Sequence, residues 1–226
     1  MAEFDTHSAD YQSKLAASLG LPASAVDQFA AYKIEKVAAL EPNTQYGKFL
    51  DFGCGIGLSG PHIQRLFPDM KLFLADQSSE SLSNLTNRIA NPVSTVQVEA
   101  SIPLDENSIS IALASCVFHH IEPDDRLHWL REIKRVLRPG SAFYIFEHNP
   151  YNPLTQLIVR RSPLDVNAQL LSCAKAISLC KQAGFSQIYH EYLLVTPPSW
   201  RINSALDKLF KRIPLGTQFV VRAIAK

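Results

Sequence analysis

The sequence predicts an α/β protein: a Rossmann-like seven-stranded sheet, mostly parallel with an antiparallel terminal strand, helices on both faces and an N-terminal helical extension. Three observations carry that prediction. Between residues 48 and 147, short apolar runs alternate five times with segments in helical phase, the pattern of parallel strands joined by right-handed crossovers. The first apolar run ends in an acidic, glycine-rich turn, Asp51-Phe52-Gly53-Cys54-Gly55-Ile56-Gly57. After residue 147 the alternation yields to a proline-rich excursion and two strand-like segments, which suits an antiparallel addition at the sheet edge.

Taken in order, residues 9–19 read as a short helix stopped by Gly20 and Pro22. Ser24 with Asp27 then reads as a helix start, and Val26, Phe29, Ala30, Ile34, Val37 and Leu40 recur at helical spacing as far as Pro42. Lying ahead of the first strand, these helices either cover one flank of the sheet or close over a ligand. The first strand spans 48–52 and a helix follows over 58–66, broken by Pro68-Asp69. A second strand, 71–75, runs into Asp76, and a helix over about 79–89 presents Leu82, Leu85 and Ile89 on one face. The third strand is 95–98. The fourth, 109–114, is apolar enough to be buried on both faces. Leu127, Leu130, Ile133, Val136 and Leu137 place a helix over 123–137, ended by Pro139-Gly140, with the fifth strand at 142–147. Beyond it come a helix over 168–183, a strand over 185–195, a short helix over 199–210 and a last strand over 217–225.

Length and composition narrow the classes. A chain of 226 residues, 46% hydrophobic and 19% charged, can bury the core of one globular domain. We divide it into a helical cap (1–42), a ligand-binding core (47–147) and an acceptor-side excursion with the terminal strands (148–226). Lys and Arg (22) nearly balance Asp and Glu (21), so no overall field attracts nucleic acid, and no nucleic-acid partner is expected. No apolar stretch is long enough to span a bilayer, and the polar N-terminus lacks the pattern of a signal peptide. The four cysteines make no C-x-x-C pair, which favours reduced thiols, a cytoplasmic location and no metal site.

The glycine turn carries the chemistry. A strand that ends in closely spaced glycines lets the backbone approach a nucleoside, and the helix behind it offers free N–H groups. Gly55-Ile56-Gly57-Leu58-Ser59-Gly60 also spells a dinucleotide fingerprint, with Asp76 at the expected distance of about 20 residues. Asp51 discriminates between the two. A carboxylate there repels a pyrophosphate but attracts an ammonium or sulfonium, which points to S-adenosylmethionine (SAM).

With these motifs in view, the sequence resembles a class I SAM-dependent methyltransferase of the small-molecule type. Asp51 through Gly57 matches the acidic glycine-rich motif, and Asp76 the acid that closes the second strand. Glu99-Ala100 followed by Ile102-Pro103-Leu104 is similar to the adenine loop; Val117–Ile121 and Arg135–Gly140 are similar to the turn after the fourth strand and the helix end before the fifth. Two positions depart from the pattern, Ser110 where Asp is frequent and Ser141 where a second glycine is frequent. The resemblance implies a cofactor set of Asp51, Gly53, Cys54, Gly55, Gly57, Asp76, Gln77, Glu99, Ala100 and Ser115. In it the glycines pass the methionine part, Asp51 faces its ammonium, Asp76 holds the ribose hydroxyls and Glu99 the adenine amino group. S-Adenosylhomocysteine is the product.

A hydroxyl or amine acceptor also needs a base, and His119 and His148 are the candidates because imidazole titrates near neutrality. Tyr151, Asn152 and Arg160 in the excursion are candidates for the acceptor site, there to grip a phosphate or carboxylate. Several alternatives compete with these roles. Asp76 is also suited to cap the helix that follows, Glu99 to sit in a solvated loop, and the paired histidines only to pack. For the whole chain the expected activity is O- or N-methylation of a small acceptor. The alternatives are a SAM-binding regulatory subunit without catalysis and an NAD(P)-dependent oxidoreductase.

Overall fold

The computed structural model describes residues 11–44, 46–87, 89, 93–200 and 202–226. Residues 9–10, 88 and 201 of the predicted helices lie outside that set. Helix α1 (Tyr11–Leu19) ends in a Schellman turn: Gly20, at φ +63°, donates to the Ala17 carbonyl and Leu21 to that of Ala16. Helix α2 (Ala23–Leu40) starts ahead of the expected Ser24, with Pro22 at the cap position.

One seven-stranded sheet has the order β3-β2-β1-β4-β5-β7-β6. Its strands are β1 (Gly47–Phe52), β2 (Met70–Asp76), β3 (Ser94–Gln97), β4 (Ile109–Ser115), β5 (Leu137–His148), β6 (Ser186–Leu193) and β7 (Gln218–Ile224). Strands β1 to β5 pair in parallel, while β7 runs antiparallel to β5 on one side and to β6 on the other. The last strand is thus inserted inside the sheet, and β6 forms the edge. Alternation along the strands supplies two cores. On one face Leu50, Ala112, Phe143 and Ile145 meet Leu130 and Ile133 of α5 (Arg126–Val136) and Ala176 and Leu179 of α7 (Cys173–Gln182). On the other, Phe49, Ile111, Leu113, Tyr144 and Phe146 meet Ile34 and Val37 of α2 and Ile63 of α3 (Gly60–Leu66). The far end of α2 is tied down where Glu41 accepts from Tyr144 Oη at 2.7 Å and Arg222 Nε at 2.7 Å.

Several boundaries differ from the expected ones, among them the starts of α5 at Arg126, where 123 was expected, and of α7 at Cys173, where 168 was expected. The helix expected over 79–89 is a short α4 (Ser79–Ser83) continued as a 3₁₀ turn (Asn84–Asn87). Strand β5 begins at Leu137, not 142: Leu137 pairs with Ile109, the chain bulges, and pairing resumes with Ala142 opposite Ile111. Pro139 has no N–H for the ladder and Gly140 sits at φ +82°, so the expected stop signal makes a bulge within a strand. The excursion after β5 contains α6 (Pro153–Arg161), and α8 (Asn203–Phe210) starts later than expected.

Candidate functional site

The carboxyl ends of β1, β2, β4 and β5 open into a cavity of about 420 Å³. Open α/β sheets place ligands there because the crossovers diverge above adjacent strand ends. Its sheet-side wall includes Asp51, Gly53–Gly55, Asp76, Gln77, Ser115 and Cys116, and Leu15, Leu19, Phe29, Ala30 and Lys33 of α1 and α2 face it. The N-terminal helices therefore do both things the sequence left open: Ile34 and Val37 cover the sheet, and the start of α2 closes over the cavity.

At one end stand two acids. Asp51 is 2% exposed, and its pKa is raised to about 7 by burial and then by the neighbouring Asp76 carboxylate, against the opposing pull of Lys33. Asp76 accepts from Gly55 N at 2.8 Å through Oδ2 and from Ser78 N at 2.9 Å through Oδ1. The cap of α4 is Ser78, whose hydroxyl accepts from Ser81 N at 3.1 Å, so the helix start does not depend on Asp76 as its cap. Above the acids, Lys33 Nζ donates to Ser115 Oγ at 2.9 Å and lies 3.3 Å from Cys116 Sγ. Cys116 is at φ +58°, a left-handed turn that swings the chain off β4 and keeps both side chains on the cavity wall.

The glycines divide their work. Gly55, at φ +51°, would aim a Cβ into open space, whereas at Gly57 (φ +75°) a Cβ would lie 2.5 Å from Leu85 Cδ2, and at Gly53 2.5 Å from Val117 Cγ2. Gly57 is absent from the cavity wall, a correction to its expected role: it lets the turn pack on the 3₁₀ segment. Gly57→Ala is expected to cost about 1–3 kcal/mol of stability through overpacking and leave SAM affinity nearly unchanged. Gly55→Ala should show the reverse balance, a loss of SAM affinity larger than its strain cost of about 1–2 kcal/mol. Thermal melts beside SAM titrations separate the two.

At the other end lie the histidines. His119 is buried, its Nδ1 at 2.6 Å from Glu147 Oε2 and its Nε2 at 3.2 Å from Asp165 Oδ1. Burial alone would lower its pKa, but the Glu147 carboxylate and the bonds to Asp165 and Glu147 outweigh it and hold the imidazole at about 10. Such a ring is already protonated, so as it stands His119 is no general base, contrary to the sequence expectation. Glu147 also accepts through Oε1 from the backbone N–H groups of Val117 (3.1 Å), Phe118 (2.7 Å) and His119 (3.3 Å), which fixes the turn after β4. His148 lines the cavity, with its pKa pushed down to about 4 by burial and by the His119 charge.

Other expected residues sit elsewhere. Glu99 and Ala100 are exposed and off the wall, which Val98 and Gln77 form at this edge; the Ala100 carbonyl accepts from His128 Nε2 at 2.8 Å. Tyr151 is 65% exposed, and Arg160 lies on the exposed side of α6. Asn152 caps α6 by accepting from Thr155 N at 3.0 Å and donates to the Leu215 carbonyl at 2.7 Å, so both ends of its amide are occupied. From the same excursion Thr155, Ile158, Leu164 and Asp165 reach the cavity instead. Sequence reasoning missed Lys33, Asp165 and Gln218. Lys33 carried a signal, a lone charge within the apolar stripe Val26, Ala30, Ile34 and Val37.

This sheet order, with one antiparallel strand and an acid-lined cavity at the strand ends, is the architecture of the class I methyltransferases. Residues 50–145 match the methyltransferase domain family. The Danio rerio protein named arginine-hydroxylase NDUFAF5, mitochondrial, is 33% identical over 94 residues, covering 42% of this chain and 28% of its own. The ribosomal RNA large subunit methyltransferase G of Shewanella amazonensis is 26% identical over 132 residues, covering 52% of this chain and 34% of its own. The chain thus spans about a third of each curated relative. A SAM-dependent methyltransferase structure from Thermotoga maritima shares the fold at a TM-score of 0.71, with 17% identity over 99% of this chain and 98% of its own. Residues 50–145 are thus similar to a methyltransferase domain, and nearly the whole chain shares the fold of a SAM-dependent methyltransferase.

Proposed function

We propose that this protein methylates a small-molecule acceptor on oxygen or nitrogen, held at the histidine end of the cavity. The observation that carries this reading is the cavity itself. Its volume of about 420 Å³ is within the roughly 300–1,000 Å³ of small-ligand sites, and it runs from Asp51 and Asp76 to His148 and Asp165. Asp51 faces the SAM ammonium, Asp76 takes the ribose hydroxyls, and Gly53 and Gly55 leave room for the methionine part, with Cys54, Gln77 and Ser115 beside it. The acceptor lone pair attacks the methyl carbon in line, the C–S bond breaks, and its electron pair stays on sulfur as S-adenosylhomocysteine. The acceptor proton passes to His148 on the wall. Alignment inside the cavity supplies most of the rate, about 7–11 kcal/mol in favourable cases.

The chain works in this reading as one domain, with residues 1–42 as its cap. The Shewanella relative's name raises an RNA acceptor. A net charge of +1 supplies little of the phosphate attraction on which RNA binding depends, which favours the small molecule. Among the described residues no helix is long and apolar enough to cross a membrane. Four free cysteines, Cys54, Cys116, Cys173 and Cys180, suit a reducing compartment, which we take to be the cytoplasm.

The buried acid gives a test with a definite sign. Asp51 carries a raised pKa, so its ionised form costs the ligand-free fold nothing below the ordinary 3.8 and the full penalty above about 7. An ammonium at Asp51 favours the ionised form, so SAM binding releases a proton below pH 7. Affinity should fall by up to ~10-fold per pH unit as the pH drops below 7. Calorimetry in buffers of different ionisation enthalpy reads the released proton, and Asp51→Asn should remove it. A pH-independent affinity in the wild type would take Asp51 out of the ammonium site. Screening metabolite pools with methyl-labelled SAM then identifies the acceptor, and label found only in RNA would overturn the small-molecule reading.

A further inference from the structure

We propose that His119, His120 and Asp165 form a binding site for one divalent transition metal ion, with a remaining coordination position open to the cavity. The sequence expectation was no metal site, because its cysteines lack the C-x-x-C spacing. The fold brings the donors together. His119 Nε2 and His120 Nε2 lie 3.2 Å and 3.5 Å from Asp165 Oδ1, and the three candidate ligand atoms are all within 4.8 Å of one another. Two ligands bound at 2.0–2.1 Å to a tetrahedral ion are about 3.4 Å apart. An ion can therefore take the place of the proton between His119 and Asp165 with small ring rotations.

The surroundings are built as a metal site requires. Glu147 Oε2 holds His119 Nδ1 at 2.6 Å, and a carboxylate behind a ligating imidazole fixes the tautomer that turns Nε2 toward the ion. Glu147 is held in turn by the three backbone N–H groups of residues 117–119. A second support joins the two ligand-bearing segments. Arg126, buried, donates from Nε to the Ile121 carbonyl at 2.9 Å and from Nη2 to the Gln169 carbonyl at 2.6 Å. Gln169 N donates to the His119 carbonyl at 2.7 Å, which fastens the chain just beyond Asp165 to the histidine turn.

Two imidazoles and one carboxylate suit Zn²⁺, Fe²⁺ or a neighbouring transition ion, not Ca²⁺ or Mg²⁺, which want oxygen donors. Three protein ligands with an open position define a reactive site, not a purely structural one. His119, His120 and Asp165 all reach the cavity wall, and the His148 ring lies 5.0 Å from that of His119, centre to centre. The ion would hold the oxygen or nitrogen of the acceptor at the end of the cavity away from Asp51. That role rests on the methyl-transfer reading; the site itself does not.

The test strips the full-length protein with chelator and titrates it with Zn²⁺, then with Co²⁺, whose visible spectrum reports tetrahedral nitrogen–oxygen ligation. The expected result is one ion per chain with micromolar or tighter affinity. Asp165→Asn and His120→Asn should each weaken it by more than the roughly 10–100-fold that loss of the carboxylate behind a ligand costs. Thermal melts show whether each variant is folded, and His120, with its partly exposed side chain, is the safer of the two substitutions. Millimolar binding, or equal affinity in wild type and both variants, would overturn the site. SAM titration of the stripped protein separates the two readings. SAM binding without metal binding leaves the methyltransferase and removes the site, whereas metal binding without SAM binding keeps the site and removes its acceptor role.

Discussion

Replacement of Glu147 by alanine is expected to destabilise the fold by about 3–5 kcal/mol, the cost of leaving a buried charge without its partner. For a chain of this size that lowers Tm by roughly 6–20 °C. The residue is 1% exposed and accepts from the backbone of Val117, Phe118 and His119, from His119 Nδ1, and from His148 N at 3.3 Å. Its removal strands the buried donors, Phe118 N and His119 N and Nδ1, and frees the turn that carries His119 and His120. Melts run in the presence of chelator keep the measurement independent of any bound ion. Glu147→Gln retains the acceptor for the backbone groups, so it should recover part of the loss. A drop of under about 1 kcal/mol in Glu147→Ala would show that the turn is held by its packing, chiefly Phe118 against Phe52 and Phe143.

Asp76→Ala is expected to weaken SAM by about 1.5–3 kcal/mol, the value of hydrogen bonds to a charged group, which is roughly 10–150-fold in Kd. Some stability goes as well, because Gly55 N and Ser78 N lose their acceptor. Helix α4 keeps its Ser78 cap, however, and the variant should remain folded. Asp76→Asn distinguishes the two contributions: it keeps an acceptor for one backbone group and gives up the bidentate grip on the ribose. Calorimetric titration beside a thermal melt reads both. A destabilised variant with wild-type affinity would reduce Asp76 to a brace for the glycine turn.

What the sequence revealed and what it hid follow from the range of the interactions. The alternation of strand and helix is local, so the five parallel strands and the acids at their ends were legible, Asp51 and Asp76 among them. Strand β5 was cut short because Pro139-Gly140 normally ends an element, and only its pairing with β4 turns that signal into a bulge. Gly57 looked like its neighbours in the motif; its work is set by Leu85, a contact that exists only once the 3₁₀ turn after α4 has packed. Asp165 sits in a turn with no distinguishing neighbour, and it meets His119 across 46 residues of chain. Asn152 and Arg160 were polar residues in the right excursion, but cap chemistry took the first and solvent the second. The glycine-rich end of the cavity wall is written in one short motif and the acid after β2, whereas the rest draws on helices α1, α2 and α6, the turn after β4, Asp165 and β7, and no single stretch announces it.

The central claim is that the cavity above β1, β2 and β4 is the SAM site. Its most direct test is a crystal structure with S-adenosylhomocysteine soaked in. The expected complex has the ligand's amino group at Asp51, both ribose hydroxyls on the Asp76 carboxylate, and the sulfur turned toward Ser115 and His148. A ligand bound outside this cavity, or one lying in it with Asp76 facing only Gly55 and Ser78, would contradict it.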